Sequence, residues 1–233
     1  MARSTAGVKN SACCTMPAVP HHAVWVRVSH WMTAVSVCTL AVTGVVILMA
    51  HPRLYWGQAG NDLTPALLEL PISRNYHHGG FDAPVPFFRD RAAPVSANRS
   101  YNIFNENGWG RSLHFLAAWC LVIPGAWYVL MGLANGHFRR NFFGGSQYGV
   151  LQRWTYTLVV FVAAPLIMLT GLTMSPALTA AFPVLLRVFG GYQSARTIHF
   201  FTFAALALFV TGHIVMVVSS GFVRHMRAMT IGG

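Results

Sequence analysis

The chain has 233 residues and a formal charge of +11 from 16 basic and 5 acidic side chains, yet hydrophobic residues make up 55% of it and charged residues only 9%. A soluble domain carries about 25% charged residues to solvate its surface, so much of this protein meets lipid instead of water. The basic residues fall at the ends of apolar runs and not on one stripe, which excludes nucleic acid as a partner and points to membrane topology and anionic membrane lipid.

Residues 1–20 are small, polar and proline-containing, with no signal-peptide pattern ahead of a cleavage site, and read as a disordered tail. Cys13 and Cys14 are adjacent in it, while Cys38 and Cys120 sit inside apolar runs; four cysteines in this arrangement exclude a disulfide scaffold, and no C-x-x-C-H is present for covalent haem. The first apolar run, 24–50, is long enough to cross a hydrocarbon core of about 30 Å as a helix, carries His30 and stops before Pro52. The segment 51–111 then holds all five acids, Asp62, Glu69, Asp82, Asp90 and Glu106, with six arginines among them, and is rich in Pro, Gly, Asn and aromatics. Its length marks it as a functional cap or docking surface, and its composition leaves its local structure open.

The second run, 112–134, opens on His114 and ends at Asn135-Gly136. The third, 153–174, ends at Ser175-Pro176, and the fourth, 195–220, carries His199 and His213 and ends at Ser219-Ser220-Gly221. Four apolar helices give an all-α membrane protein, a four-helix transmembrane bundle over 21–229, because lipid leaves no other way to satisfy a spanning backbone at this length. Arg3, Lys9 and Arg27, then Arg139, Arg140 and Arg153, then Arg224 and Arg227 mark three acid-free segments. Both termini are therefore expected in the cytoplasm and the 51–111 insertion in the periplasm.

Ionisable groups are expensive in a bilayer, so the histidines inside the spans are the leading functional candidates. His199 and His213 are fourteen positions apart, close to four turns, and share a helix face about 21 Å apart along the axis. By depth, His114 is level with His199 near the outer face, and His30 with His213 near the inner face. Two axial imidazoles on facing helices can clamp a haem. One such histidine is more often a hydrogen-bonded core residue, but four that pair by depth favour two haem sites. A catalytic zinc would want three ligands at one point, and there is no H-E-x-x-H.

Arg27, Arg111 and Arg196 stand near span ends, where they are equally suited to haem propionates or to snorkelling toward lipid headgroups. Gly44, Gly125, Gly132, Gly171 and Gly212 allow close approach of a macrocycle or of a neighbouring helix. His51, His77, His78, His21, His22, His137 and His225 are expected at the two surfaces. Trp25, Trp31, Tyr55, Trp56, Trp109, Trp154 and Tyr192 read as an interfacial aromatic belt.

These motifs resemble a known family, the four-helix di-haem cytochrome b subunits of the bacterial cytochrome b561 and formate dehydrogenase gamma-subunit type. The resemblance rests on Arg27-Val28-Ser29-His30-Trp31, on Leu113-His114-Phe115, and on Ser194-Ala195-Arg196-Thr197-Ile198-His199 with Gly212-His213 after it. Through Thr170-Gly171-Leu172-Thr173-Met174-Ser175-Pro176 it looks most like the thiosulfate reductase cytochrome b subunit branch. The resemblance implies a multi-pass subunit of the bacterial inner membrane with two b-type haems, passing electrons between the quinone pool and a periplasmic redox partner, for which a molybdopterin oxidoreductase is the branch's candidate. It assigns His30 and His213 to the cytoplasmic-side haem and His114 and His199 to the other. A quinone site beside the former would involve Asn135, Gly136, His137 and Arg139. The 51–111 insertion is longer than in the formate dehydrogenase type, which leaves the partner open.

Two other readings compete. A stand-alone membrane haem oxidoreductase of the superoxide:quinone type would use the arginines of the insertion as a funnel. A proton or metal relay without cofactor would be expected to show an internal repeat, and none is seen between the two halves.

Overall fold

The computed structural model describes residues 23–61, 64–73, 107–136, 139 and 150–231, the side chains of 107 and 150–153 excepted. The expected tail over 1–20 and much of the 51–111 insertion, His77 and His78 included, lie outside the described residues, as do His21, His22 and His137.

Among the described residues, four helices long and apolar enough to cross a membrane form the bundle. Helix α1 (Val24–Ala50) packs along α2 (Asn107–Ala134), and Gly110 at the start of α2 lies against Val46 near the end of α1, so the two run antiparallel. The third span consists of α3 (Val150–Leu158), a π turn (Val159–Ala163) and α4 (Ala164–Thr173). The π turn precedes Pro165, which has no N–H to donate to the carbonyl one turn back and crowds it; Ala164 N–H instead reaches Val159 O. The short helices α5 (Pro176–Ala181) and α6 (Val184–Val188) lead to α7 (Tyr192–Ser219), which packs antiparallel on α4, and α8 (Phe222–Thr230) closes the chain. The outward faces are apolar, with Leu208 at 75%, Ile123 at 64% and Val35 at 64% exposure, as lipid contact requires. The chain is a multi-pass membrane protein.

The helix starts refine the apolar runs. The run at 112 is preceded by Gly108-Trp109-Gly110-Arg111, and the helix reaches back through these residues to Asn107, with Gly110 packed on Val46. Likewise α7 begins at Tyr192, before the run at 195, because its first turn is capped from the insertion.

That cap is the start of the insertion. Strand β1 (Arg53–Leu54) pairs antiparallel with β2 (Leu68–Glu69), Arg53 opposite Glu69 and Leu54 opposite Leu68. Between them Gly57 O accepts from Gln193 N at 2.9 Å and Ser194 N at 3.2 Å, Gln58 Oε1 accepts from Tyr192 N at 3.2 Å, and Ser194 Oγ accepts from Gly57 N at 2.7 Å. These bonds satisfy the donors that a helix start leaves orphaned. Gly191, at φ 122°, approaches Gly57 so closely that a Cβ would lie 2.5 Å from its carbonyl. Thr197 Oγ1 donates to Tyr55 O at 2.7 Å, and Leu54 and Tyr55 are buried beneath the turn. Tyr55 is thus part of the cap's core and not of an interfacial belt, because the hairpin folds it back onto α7.

The opposite end joins the start of α1 to α8. Arg27 Nη1 donates to Thr230 O at 2.9 Å and Trp31 Nε1 to Met229 O at 3.0 Å. The bundle therefore has a hairpin end and a terminal end, the latter holding the first and last described helices together.

Candidate functional site

At the hairpin end, α2 and α7 turn His114 and His199 toward each other, with ring centroids 6.4 Å apart and planes at 59°. Each ring is held from behind by a threonine of the neighbouring helix: Thr43 Oγ1 is 2.9 Å from His114 Nδ1, and Thr170 Oγ1 is 3.0 Å from His199 Nδ1. The glycine after each threonine faces the same ring; a Cβ on Gly44 would lie 3.5 Å from His114 Cε1, and one on Gly171 would lie 3.4 Å from His199 Cε1. The arrangement occurs twice, α1 serving α2 and α4 serving α7.

At the terminal end, His30 of α1 and His213 of α7 also stand 6.4 Å apart, with planes at 55°. Aromatic rings flank both. Trp31 meets His30 edge-on at 5.4 Å, and Phe209, one turn before His213, stacks on it at 6.4 Å and 21°. Tyr156 in turn meets Phe209 edge-on at 5.9 Å. The structure thus brings together the same two pairs that depth along the spans joins.

The spacing discriminates between two uses of such a pair. A direct hydrogen bond between imidazoles would draw the centroids to about 5 Å. Two imidazoles on opposite sides of one metal ion, with bonds of about 2 Å each, have centroids about 6 Å apart. Both pairs, at 6.4 Å, match the second arrangement. Among the described residues no three His, Cys, Asp or Glu side chains converge on a point, so the donor set suits a planar macrocycle with two axial ligands better than a tetrahedral metal. The residues fit bis-histidine haem.

The arginines divide between the ends. Arg196 donates to His51 O and, at 3.3 Å, to Gln193 Oε1. Arg196, Arg111 and Arg53 all bear on His51, whose pKa is lowered by desolvation of the ring and then by these three positive charges in that order. His51 is exposed, as expected of it, and belongs to a basic cluster at the hairpin end. Arg27, at the terminal end, has a buried Nε without a hydrogen-bond partner. Of the expected quinone residues, Asn135 and Gly136 end α2, with Asn135 N on Met131 O at 3.0 Å, Gly136 N on Leu133 O at 3.1 Å and Gly136 at φ 62°. Arg139 is exposed, and His137 lies outside the described residues.

Thr43 is absent from the sequence-based expectations, and Thr170 enters them only within the motif that carries the branch resemblance, without a role at a histidine. Both stand in Thr-Gly dipeptides, but Thr211-Gly212 is a third, and Arg-x-x-His occurs at Arg27–His30 and Arg74–His77 as well as at Arg111–His114 and Arg196–His199, so neither pattern singles the two threonines out.

A four-helix membrane bundle with two facing histidine pairs is the architecture of a haem-bearing electron carrier. The sequence matches the family of prokaryotic cytochrome b561 over residues 21–232, and the chain belongs to that family. It is therefore a b-type haem membrane protein of electron transfer. It is 27% identical over 221 residues, 84% of this chain and 89% of the relative, to YedZ1 of Azospira oryzae, a protein provisionally named a protein-methionine-sulfoxide reductase subunit. No solved structure gives a significant match.

Proposed function

We propose that the chain is a di-haem subunit carrying electrons between the quinone pool and a periplasmic oxidoreductase. The observation that carries this reading is the metal-compatible spacing of both histidine pairs, 6.4 Å at each end of one bundle. His114 and His199 would hold one haem b and His30 and His213 the other, with Arg111 and Arg196 near the first and Arg27 near the second for the propionates. Haem bound there supplies reversible one-electron transfer.

The remaining work belongs to the chain. Its apolar helices keep water from both pairs, and α7 sets them about 21 Å apart along one axis. The charge distribution favours a cytoplasmic terminal end and a periplasmic hairpin end. A quinone would react at the terminal end, beside His30 and His213, with Asn135, Gly136, His137 and Arg139 as its candidate neighbours. The name of the Azospira relative favours outward flow. In that direction a quinol becomes a quinone, releasing two protons and two electrons. The electrons cross singly, and the periplasmic partner delivers the pair to an oxidised substrate, such as a sulfoxide that takes two protons and leaves as thioether and water. A molybdopterin protein is the partner class this reading favours.

The test is a dithionite-reduced minus air-oxidised spectrum of the detergent-purified chain, with pyridine haemochrome quantitation. About two haems b per chain are expected. One haem would sink the two-site reading, and none would return all four histidines to other roles.

A further inference from the structure

Most threonines in these helices bond back to a carbonyl of their own helix, a common local habit. Thr43 Oγ1 lies 2.7 Å from Thr39 O and 3.3 Å from Leu40 O; Thr170 Oγ1 lies 2.7 Å from Leu166 O and 3.1 Å from Ile167 O. These two differ from the others in having a second contact, to an imidazole of another helix. A hydroxyl has one proton. With that proton given to the helix carbonyl, the oxygen can only accept, so the hydrogen at the contact must come from Nδ1. A neutral imidazole with Nδ1–H has its lone pair on Nε2, and both rings then present the same nitrogen to the space between them. Thr43 and Thr170 are 1% and 0% exposed, so no water can stand in for either hydroxyl.

We propose that Thr43 and Thr170 are positioning residues that fix His114 and His199 as Nδ1–H tautomers and strengthen their Nε2 donors toward haem iron. An imidazole that donates from its far nitrogen is a more basic ligand, and a more basic ligand stabilises ferric over ferrous iron. The hydroxyls therefore lower the midpoint potential at the hairpin end. This inference rests on the haem reading above, and its two-fold occurrence, on α1 with α2 and on α4 with α7, gives two independent places to test it.

The experiment is a spectroscopic redox titration of the full-length chain in detergent, with haem counted for each variant. Thr43→Val and Thr170→Val keep shape and remove the acceptor; Thr43→Ser and Thr170→Ser restore it. Thr173→Val is the control, since Thr173 is equally buried and bonds back to Leu169 O at 2.8 Å. The valine variants are expected to raise the midpoint of one haem and leave the other in place, the serine variants to return it, and Thr173→Val to change neither. Loss of that same haem in a valine variant with recovery in the serine variant would support the same role. Unmoved midpoints in both valine variants, or equal shifts in valine and serine variants, would overturn this inference alone. A wild-type chain without haem would overturn it together with the proposed function. If one valine variant does not accumulate, the other reads the equivalent contact from a different helix.

Discussion

At the hairpin end each imidazole leans on a threonine hydroxyl of a neighbouring helix, whereas at the terminal end His30 meets the edge of Trp31 and His213 stacks on Phe209. A hydrogen bond at Nδ1 decides which nitrogen is free and how basic it is; an aromatic face fixes a ring plane but carries no such information. The helix ends differ in the same sense. A hairpin bonded to the backbone of α7 holds the hairpin end, while two side-chain bonds from α1 to the last turn of α8 hold the other. Two histidine pairs at one spacing are thus placed in unlike surroundings, as an electron carrier needs if its two sites are to differ in potential.

The largest effect that can break this comparison is removal of a ligand. His199→Ala should lose the hairpin-end haem and His213→Ala the terminal-end haem, each leaving about half of the bound haem, read by difference spectra. Loss of the same spectral component in both variants would contradict the pairing. Next in size is the cap. Thr197, 2% exposed, donates to Tyr55 O at 2.7 Å, and Thr197→Val removes that buried bond. The expected cost is about 1–3 kcal/mol in thermal unfolding in detergent, with any accompanying spectral change confined to the hairpin-end haem. A smaller loss, about 1 kcal/mol, is expected for Trp31→Phe, which removes the bond to Met229 O and loosens α8. If Trp31→Phe disturbed the hairpin-end component instead, the two ends would not be independent.

How much of this was legible in the sequence follows from where each signal lies. The four spans show in continuous apolar runs, and the histidine pairs show because depth along a straight helix is arithmetic on residue number. The threonines were hidden: a threonine in an apolar helix commonly bonds to its own backbone, and the contacts that single out Thr43 and Thr170 span 71 and 29 residues. The start of α2 at Asn107 lies before the apolar run at 112, because Gly110 packs on Val46, a contact that the run itself does not carry. Tyr55 looked interfacial because only the pairing of Arg53 with Glu69 folds it inward. The π turn was signalled by Pro165 alone, which fixes a disturbance but not its form.

The smallest expected effect separates the ends by pH. His51 lies just beyond α1, where desolvation and the charges of Arg196, Arg111 and Arg53 hold its pKa below the ordinary 6.5. The folded chain therefore binds this proton less readily than the unfolded chain. Its favourable share of stability is fully present above pH 6.5 and declines as the pH falls from there toward the lowered folded value. Protonation adds a fourth positive charge to a cluster whose Arg196 donates to the carbonyl of His51 itself, so the strain falls on the junction of α1, the hairpin and α7. Amide hydrogen exchange of residues 53–58 should speed up, relative to the α1–α8 contact, as the pH falls below 6.5, and His51→Gln should remove the difference. Equal acceleration at both ends, or a difference that survives His51→Gln, would place the titrating group elsewhere.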